Sequence, residues 1–190
     1  MRHDPTEPLT GLTERLIATF RWIDPGPQAG HLVSDVSGWW RDATILAGVG
    51  AALADPFRAE RPTVVVAPEV TGLLLGPLVA VALGVGFLPA YKGGSDRAIP
   101  EPTTWARTGP DHRGRALTLG VRDRHLGKGD RVLVVDDWVS TGAQARALRE
   151  VIRARGARPV GTAAVVADCP PEVARELGLR ALLPVSRLDG

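Results

Sequence analysis

The chain has 190 residues, 44% of them apolar and 23% charged, with a formal net charge of +2. This is an ordinary composition for one folded domain with a sizeable core, and its Arg residues are spread along the chain, which excludes a basic nucleic-acid-binding arm. Cys169 is the only cysteine, so an internal disulfide is excluded and a reducing cytoplasm is the default location.

The N-terminal MRHDPTEPLTG contains no apolar signal core. Leu9, Leu12, Leu16 and Phe20 then recur at helical spacing, and the link DPGPQAG follows. Residues 42–54 carry Ile45, Leu46, Val49 and Leu53 on one helical face and end at Asp55-Pro56. TVVVA at 63–67 is a short β-branched run, typical of a buried parallel strand. No charge occurs from Val70 to Tyr91. A membrane span is rejected there because Gly72, Gly76, Pro77, Gly84, Gly86 and Pro89 divide the stretch into a helix over 72–83 and a strand near 87–90.

Residues 93–116 show no period and read as a long surface loop, a class that is usually functional. A strand around Leu117 and Leu119 precedes the turn GKGD, and Arg131–Val135 forms the central strand. A helix over 143–155 stops at Gly156, a strand spans Val160–Val166, a short helix opens at Pro171, and Ala181–Val185 closes the sheet. The alternation predicts an α/β fold: a mostly parallel central sheet with helices on both faces.

Residues 132–144 read VLVVDDWVSTGAQ. In an open parallel sheet, ligands bind beyond the carboxyl ends of the strands, where Asp136 and Asp137 fall. Ser140, Thr141, Gly142, Ala143 and Gln144 form a small polar turn leading into a helix. First-turn amides lack internal partners and carry the positive end of the helix dipole, so the turn suits a phosphate. No GxxxxGK[ST] loop occurs. The two acids repel phosphate but accept from sugar hydroxyls, or help to hold a hydrated cation. The pattern reads as recognition of a ribose 5-phosphate. A merely solvated strand end leaves two charges directly after VLVV without a reason. A response-regulator receiver domain is rejected, since the motif lies late in the chain and no Lys follows it.

The same stretch resembles the phosphoribosyl pyrophosphate (PRPP) signature of type I phosphoribosyltransferases. GKGDRVLVVDDWVSTG, and VVVAPEVTGLLLGPLVAVALGVGFLPAYKGG before it, are similar in order and spacing to the adenine branch. The resemblance implies one phosphoribosyltransferase domain over 1–190, with a core near 40–166, a small hood from 1–40 and 167–190, and a mobile loop over 93–116. It implies transfer of ribose 5-phosphate from PRPP to a purine or similar base with release of pyrophosphate. Mg²⁺ is the implied cofactor, with Asp136 and Asp137 catalytic and touching the metal through water if at all. The pyrophosphate loop maps onto Glu69, Val70, Thr71 and Gly72, with Lys92 a further phosphate contact and a non-proline cis bond at Glu69–Val70.

Thr71, Tyr91 and Gln144 depart from the adenine enzymes, as does the loss of an Arg around Ser34. The mobile loop lacks their acidic residue, which leaves Arg113 or Arg115 to reach the pyrophosphate. Adenine is the first choice of acceptor; xanthine, orotate and a specialised-metabolism base stay open, as does a non-catalytic PRPP or nucleotide sensor. A homodimer is expected, with Trp39, Trp40 and Trp105 in segments near the surface. Neither nucleic acid nor membrane is an expected partner.

Overall fold

The computed structural model describes residues 7–28, 30–93, 101–110, 114 and 116–188. In chain order the elements are α1 (Glu7–Thr19), β1 (Arg21–Ile23), β2 (Val33–Asp35), α2 (Ser37–Arg41), α3 (Ala43–Ala54), β3 (Val64–Pro68), α4 (Gly72–Leu83) and β4 (Gly86–Lys92). There follow β5 (Thr103–Arg107), β6 (Thr118–Arg122), β7 (Arg131–Val139), α5 (Ala143–Ala154), β8 (Arg158–Ala167), α6 (Pro171–Leu177) and β9 (Leu179–Pro184). Among the described residues no helix is long and apolar enough to cross a membrane.

Seven of the described strands form one sheet in the order β5-β6-β4-β3-β7-β8-β9. β4, β3, β7, β8 and β9 run parallel, while β6 and β5 add an antiparallel edge. The chain leaves β3 for β4 on one side and returns as β7 on the other. That reversal opens a crevice at the carboxyl ends of β3 and β7.

Period-two alternation sorts the strand side chains into two cores. Val65 and Ala67 of β3 join Leu133 and Val135 of β7 beneath α1, α3 and α4. Val64 and Val66 join Val132 and Val134 against Leu148, Val151 and Ile152 of α5. Both faces of the central strands are therefore dry, which is why they read as continuous apolar runs. α3 begins at Asp42, whose carboxylate accepts from the amides of Thr44 (2.8 Å) and Ile45 (3.2 Å), a cap worth about 1 kcal/mol. Arg15 of α1 reaches the same carboxylate at 2.9 Å. α3 and α4 approach closely at Gly50, where a Cβ would lie 2.6 Å from the Leu78 carbonyl oxygen.

Three expectations about the fold need correction. The segment 93–116 is not structureless: β5 pairs in register with β6 from Thr103↔Arg122 to Arg107↔Thr118. TTWAR is too short to show a period, and it is a strand because Trp105 lies over Gly120, where a Cβ would be 2.4 Å from the indole. On either side of the DPGPQAG link, β1 and β2 pair as a small antiparallel ribbon. Trp39 is not near the surface; it is fully buried and its indole donates to the Leu16 carbonyl at 2.9 Å. The central strand does not stop at Val135 but continues through both aspartates to Val139.

Candidate active site

An open cleft of about 450 Å³ lies at the carboxyl end of the sheet. One end of its wall is the turn Ser140–Gln144 with Asp136, Asp137 and Lys92. The other contains Trp22, Leu32, Val33, Ser34, Trp138 and Asp168. Parallel pairing of β4, β3 and β7 is what brings Lys92 to the aspartates.

Asp136 is not the exposed acid expected of a strand end. It is 5% exposed, while Asp137 is half-buried. Its Oδ1 accepts from the Asp137 amide at 3.0 Å. Burial pushes the Asp136 carboxyl well above the ordinary carboxylate range, and the Asp137 charge adds to the rise; the Asp137 amide and the Lys92 charge oppose it. Two acids held this way hold a strong demand for positive charge, whether from a cation or from a substrate carbon that becomes cationic.

The turn is built for close approach. Gly142 takes φ +74° immediately before α5, a conformation that costs glycine nothing. A Cβ there would meet Leu177 and Val173 of α6, each at 2.9 Å. The Thr141 hydroxyl accepts from the Ala143 amide at 3.3 Å, and the Gln144 and Ala145 amides sit in the first helical turn, where the helix supplies no acceptor. The Gln144 Oε1 is buried without a partner. Arg146 braces the turn: Nη1 donates to the Thr141 carbonyl at 2.7 Å, and Nη2 pairs with Glu176 of α6 at 2.8 Å.

The loop Glu69–Gly72 stands beside the cleft rather than in its wall. The Glu69–Val70 peptide is cis, as the resemblance implies. The Glu69 carboxylate accepts from the Lys92 amide at 3.1 Å, and the Glu69 amide donates to Ala90 at 3.0 Å. Gly72 leaves no space for a side chain, since a Cβ would lie 3.0 Å from the Pro68 ring and 3.1 Å from Ala67. Val70 is 72% exposed. Arg113 and Arg115 lie outside the described residues, as do residues 94–100 of the expected mobile loop.

A model of the phosphoribosyl transferase domain matches residues 42–175. The chain belongs to the phosphoribosyltransferase family. It is 35% identical over 161 residues to an adenine phosphoribosyltransferase of Streptomyces coelicolor, with 85% of each chain covered. It is 40% identical over 151 residues to one from a Nocardioides species, covering 77% of this chain and 78% of that protein. The crystal structure of an adenine phosphoribosyltransferase from Rhodothermus marinus superposes with a TM-score of 0.77 at 25% identity, covering 92% of this chain and 99% of that one.

As a type I phosphoribosyltransferase, the chain assembles Asp136, Asp137, the Ser140–Gln144 turn and Lys92 in one cleft. The residues that sequence reading missed come from elsewhere. Trp22 lies on the β1–β2 ribbon and meets Trp138 edge-on, ring centroids 5.8 Å apart. Thr108 is buried and exchanges hydrogen bonds with Leu117, closing the β5–β6 hairpin beside the cleft. Arg146 had a local signal, a cation in the second turn of the helix after the phosphate turn. Trp138 stood inside the quoted motif, and its large ring directly after two acids was the available clue. Asp168 had none, since its place depends on β8 lying beside β7.

Proposed function

We propose that this phosphoribosyltransferase moves ribose 5-phosphate from PRPP to a purine or similar heterocyclic base, adenine first, and releases pyrophosphate. The reading is carried by one observation: the anion turn before α5 and a buried, charge-hungry aspartate pair share a single cleft with Lys92. The turn amides and the Ser140 and Thr141 hydroxyls bind the 5-phosphate. Gln144 supplies amide N–H donors of its own. Asp136 and Asp137 take the ribose hydroxyls and favour the positive charge that grows on the anomeric carbon as pyrophosphate departs. A ring nitrogen of the base then forms the new bond to that carbon. The Glu69–Gly72 loop, Lys92, and Arg113 or Arg115 face the pyrophosphate, and the part of segment 93–116 that lies outside β5 closes over PRPP as a lid.

Mg²⁺ fits this site as a partly hydrated ion. Among the described residues no group of three or more His, Cys, Asp or Glu side chains forms a cage, and Mg²⁺ characteristically keeps waters and substrate oxygens in its shell. Asp136 and Asp137 would hold it through water, and it would neutralise charge on the pyrophosphate. We place the enzyme in the cytoplasm, with the whole chain as one domain. The test is a panel of bases with PRPP and Mg²⁺, read by pyrophosphate release. Base-dependent release with adenine among the best acceptors is expected; binding of PRPP without release for any base would favour a nucleotide sensor.

We also propose a homodimer. Val70, Leu74, Pro77 and Val81 follow one another along a single stripe of α4 and its entry loop, and Val70, Leu74 and Val81 are 72%, 49% and 81% exposed. An apolar stripe of this kind on a folded domain marks an interaction surface. Light scattering should give twice the chain mass, and Leu74→Glu with Val81→Glu should shift it to the monomer.

A further inference from the structure

The two ends of the cleft differ in chemistry. The phosphate end carries Lys92, two aspartates and a turn of hydroxyls and amides. The far end is mostly aromatic and apolar, from Trp22, Leu32, Val33 and Trp138, with His31 beside Leu32, and Asp168 is the one carboxylate in that part of the described wall. Asp168 is held at both its backbone and its side chain. Its amide donates to the Val139 carbonyl at 2.8 Å, which ties the end of β8 to the end of β7. Its Oδ2 accepts from the Trp138 indole N–H at 3.1 Å. Trp138 is fixed from the other side by Trp22 at an interplanar angle of 74° and by Phe20, 6.0 Å away between ring centroids. The indole therefore occupies one carboxylate oxygen and leaves Oδ1 without a hydrogen-bond partner among the described residues.

We infer that Asp168 is a specificity-determining residue: it selects a base that carries an exocyclic amino group, by accepting a hydrogen bond from that group. Trp138, oriented by the same carboxylate, is the flat wall against which the base rests. This rests on the transferase reading above. A carboxylate accepts hydrogen bonds and offers no donor. A base that turns an amino group to Asp168 gains a charge-assisted bond, whereas an oxo group at the same place meets negative charge. A ring of the same outline without the donor leaves the carboxylate unpaired and gains nothing. His31, just before β2, and Ser34, on it, also line this part of the cleft.

The experiment measures kcat/KM for adenine, for 6-methylpurine, which keeps the outline and lacks the donor, and for hypoxanthine, which presents oxygen. They are compared in the wild type and in Asp168→Asn. Asparagine keeps an oxygen for the Trp138 indole, so the wall stays in place while the face toward the base becomes a donor. The adenine to 6-methylpurine ratio should be high in the wild type and fall by about 10- to 100-fold in the variant, with the adenine to hypoxanthine ratio falling alongside it. The KM for PRPP should stay within about twofold, because the phosphate end is untouched. Asp168→Ser, at the same exposed position, gives the same reading should the Asn variant express poorly. Ratios equal to the wild type in both variants overturn the inference and leave the transferase reading standing. A wild type that prefers 6-methylpurine or hypoxanthine to adenine overturns it as well. If no base supports pyrophosphate release in the wild type, the transferase reading itself falls and the inference falls with it.

Discussion

Asp136→Asn combined with Asp137→Asn is expected to lower kcat by at least about 10²- to 10³-fold, the scale set by losing preorganised charge at a developing cation. The folded structure should survive, because Asp136 is buried in a position that disfavours its own charge. An amide has nearly the same shape and removes that penalty. The two effects separate the acids' catalytic role from a structural one. Activity is read by pyrophosphate release, and stability by thermal unfolding without ligand. Wild-type turnover in the double variant would end the assignment of these residues.

The same burial gives the stability a direction with pH. Asp136 is raised well above its ordinary value, first by burial and then by Asp137. Between the ordinary carboxylate range and that raised value the folded chain holds a proton that the unfolded chain has released. Stability from this group is thus complete at and below the ordinary carboxylate range and is lost as pH rises through the raised value. In Asp136→Asn that decline should disappear, and melting temperature at neutral pH should equal or exceed the wild type. A wild-type profile that rises over this window, with the rise abolished by Asp136→Asn, would contradict the burial of the charge.

Gly142→Ala is the second substitution with a large expected effect, and it acts on both folding and binding. The backbone at 142 is left-handed at φ +74°, which costs a residue with a Cβ about 1–2 kcal/mol. The new methyl would also lie 2.9 Å from both Leu177 and Val173, and overpacking typically costs about 1–3 kcal/mol. A combined loss of about 2–4 kcal/mol corresponds to a melting temperature lower by about 5–10 °C for a domain of this size. Relief by moving α6 would displace Glu176, which pairs with Arg146, and Arg146 holds the Thr141 carbonyl. The turn should therefore lose its phosphate geometry, raising the KM for PRPP by about tenfold or more. Gly86→Ala is the control: its Cβ would enter open space at ordinary φ, and both readouts should stay near wild type.

Much of the fold and half of the site are local in origin, and so are legible without coordinates. Helix α4 runs over the stretch its glycines delimit, and Gly84, in the left-handed conformation at φ +71°, ends it. α6 lies between Pro171 and Gly178 for the same kind of reason. The strand, turn and helix of VLVVDDWVSTGAQ carry their chemistry within one short run, because strand ends, small turns and helix N-termini are each defined by a few neighbouring residues. β5 escaped because a five-residue edge strand is defined by its partner, and the Trp105–Gly120 contact that secures it crosses a long loop.

Only the tertiary structure decides which distant segments share the cleft. Lys92 joins the aspartates because β4 and β7 both flank β3. Trp22 arrives on the β1–β2 ribbon, and Asp168 arrives just past the end of β8. The burial of Asp136 belongs to the same level: its neighbours include Ala164 across the β7–β8 pairing and Lys92 at the end of β4, and a sequence pattern carries no measure of the water left around a side chain once its neighbours have packed.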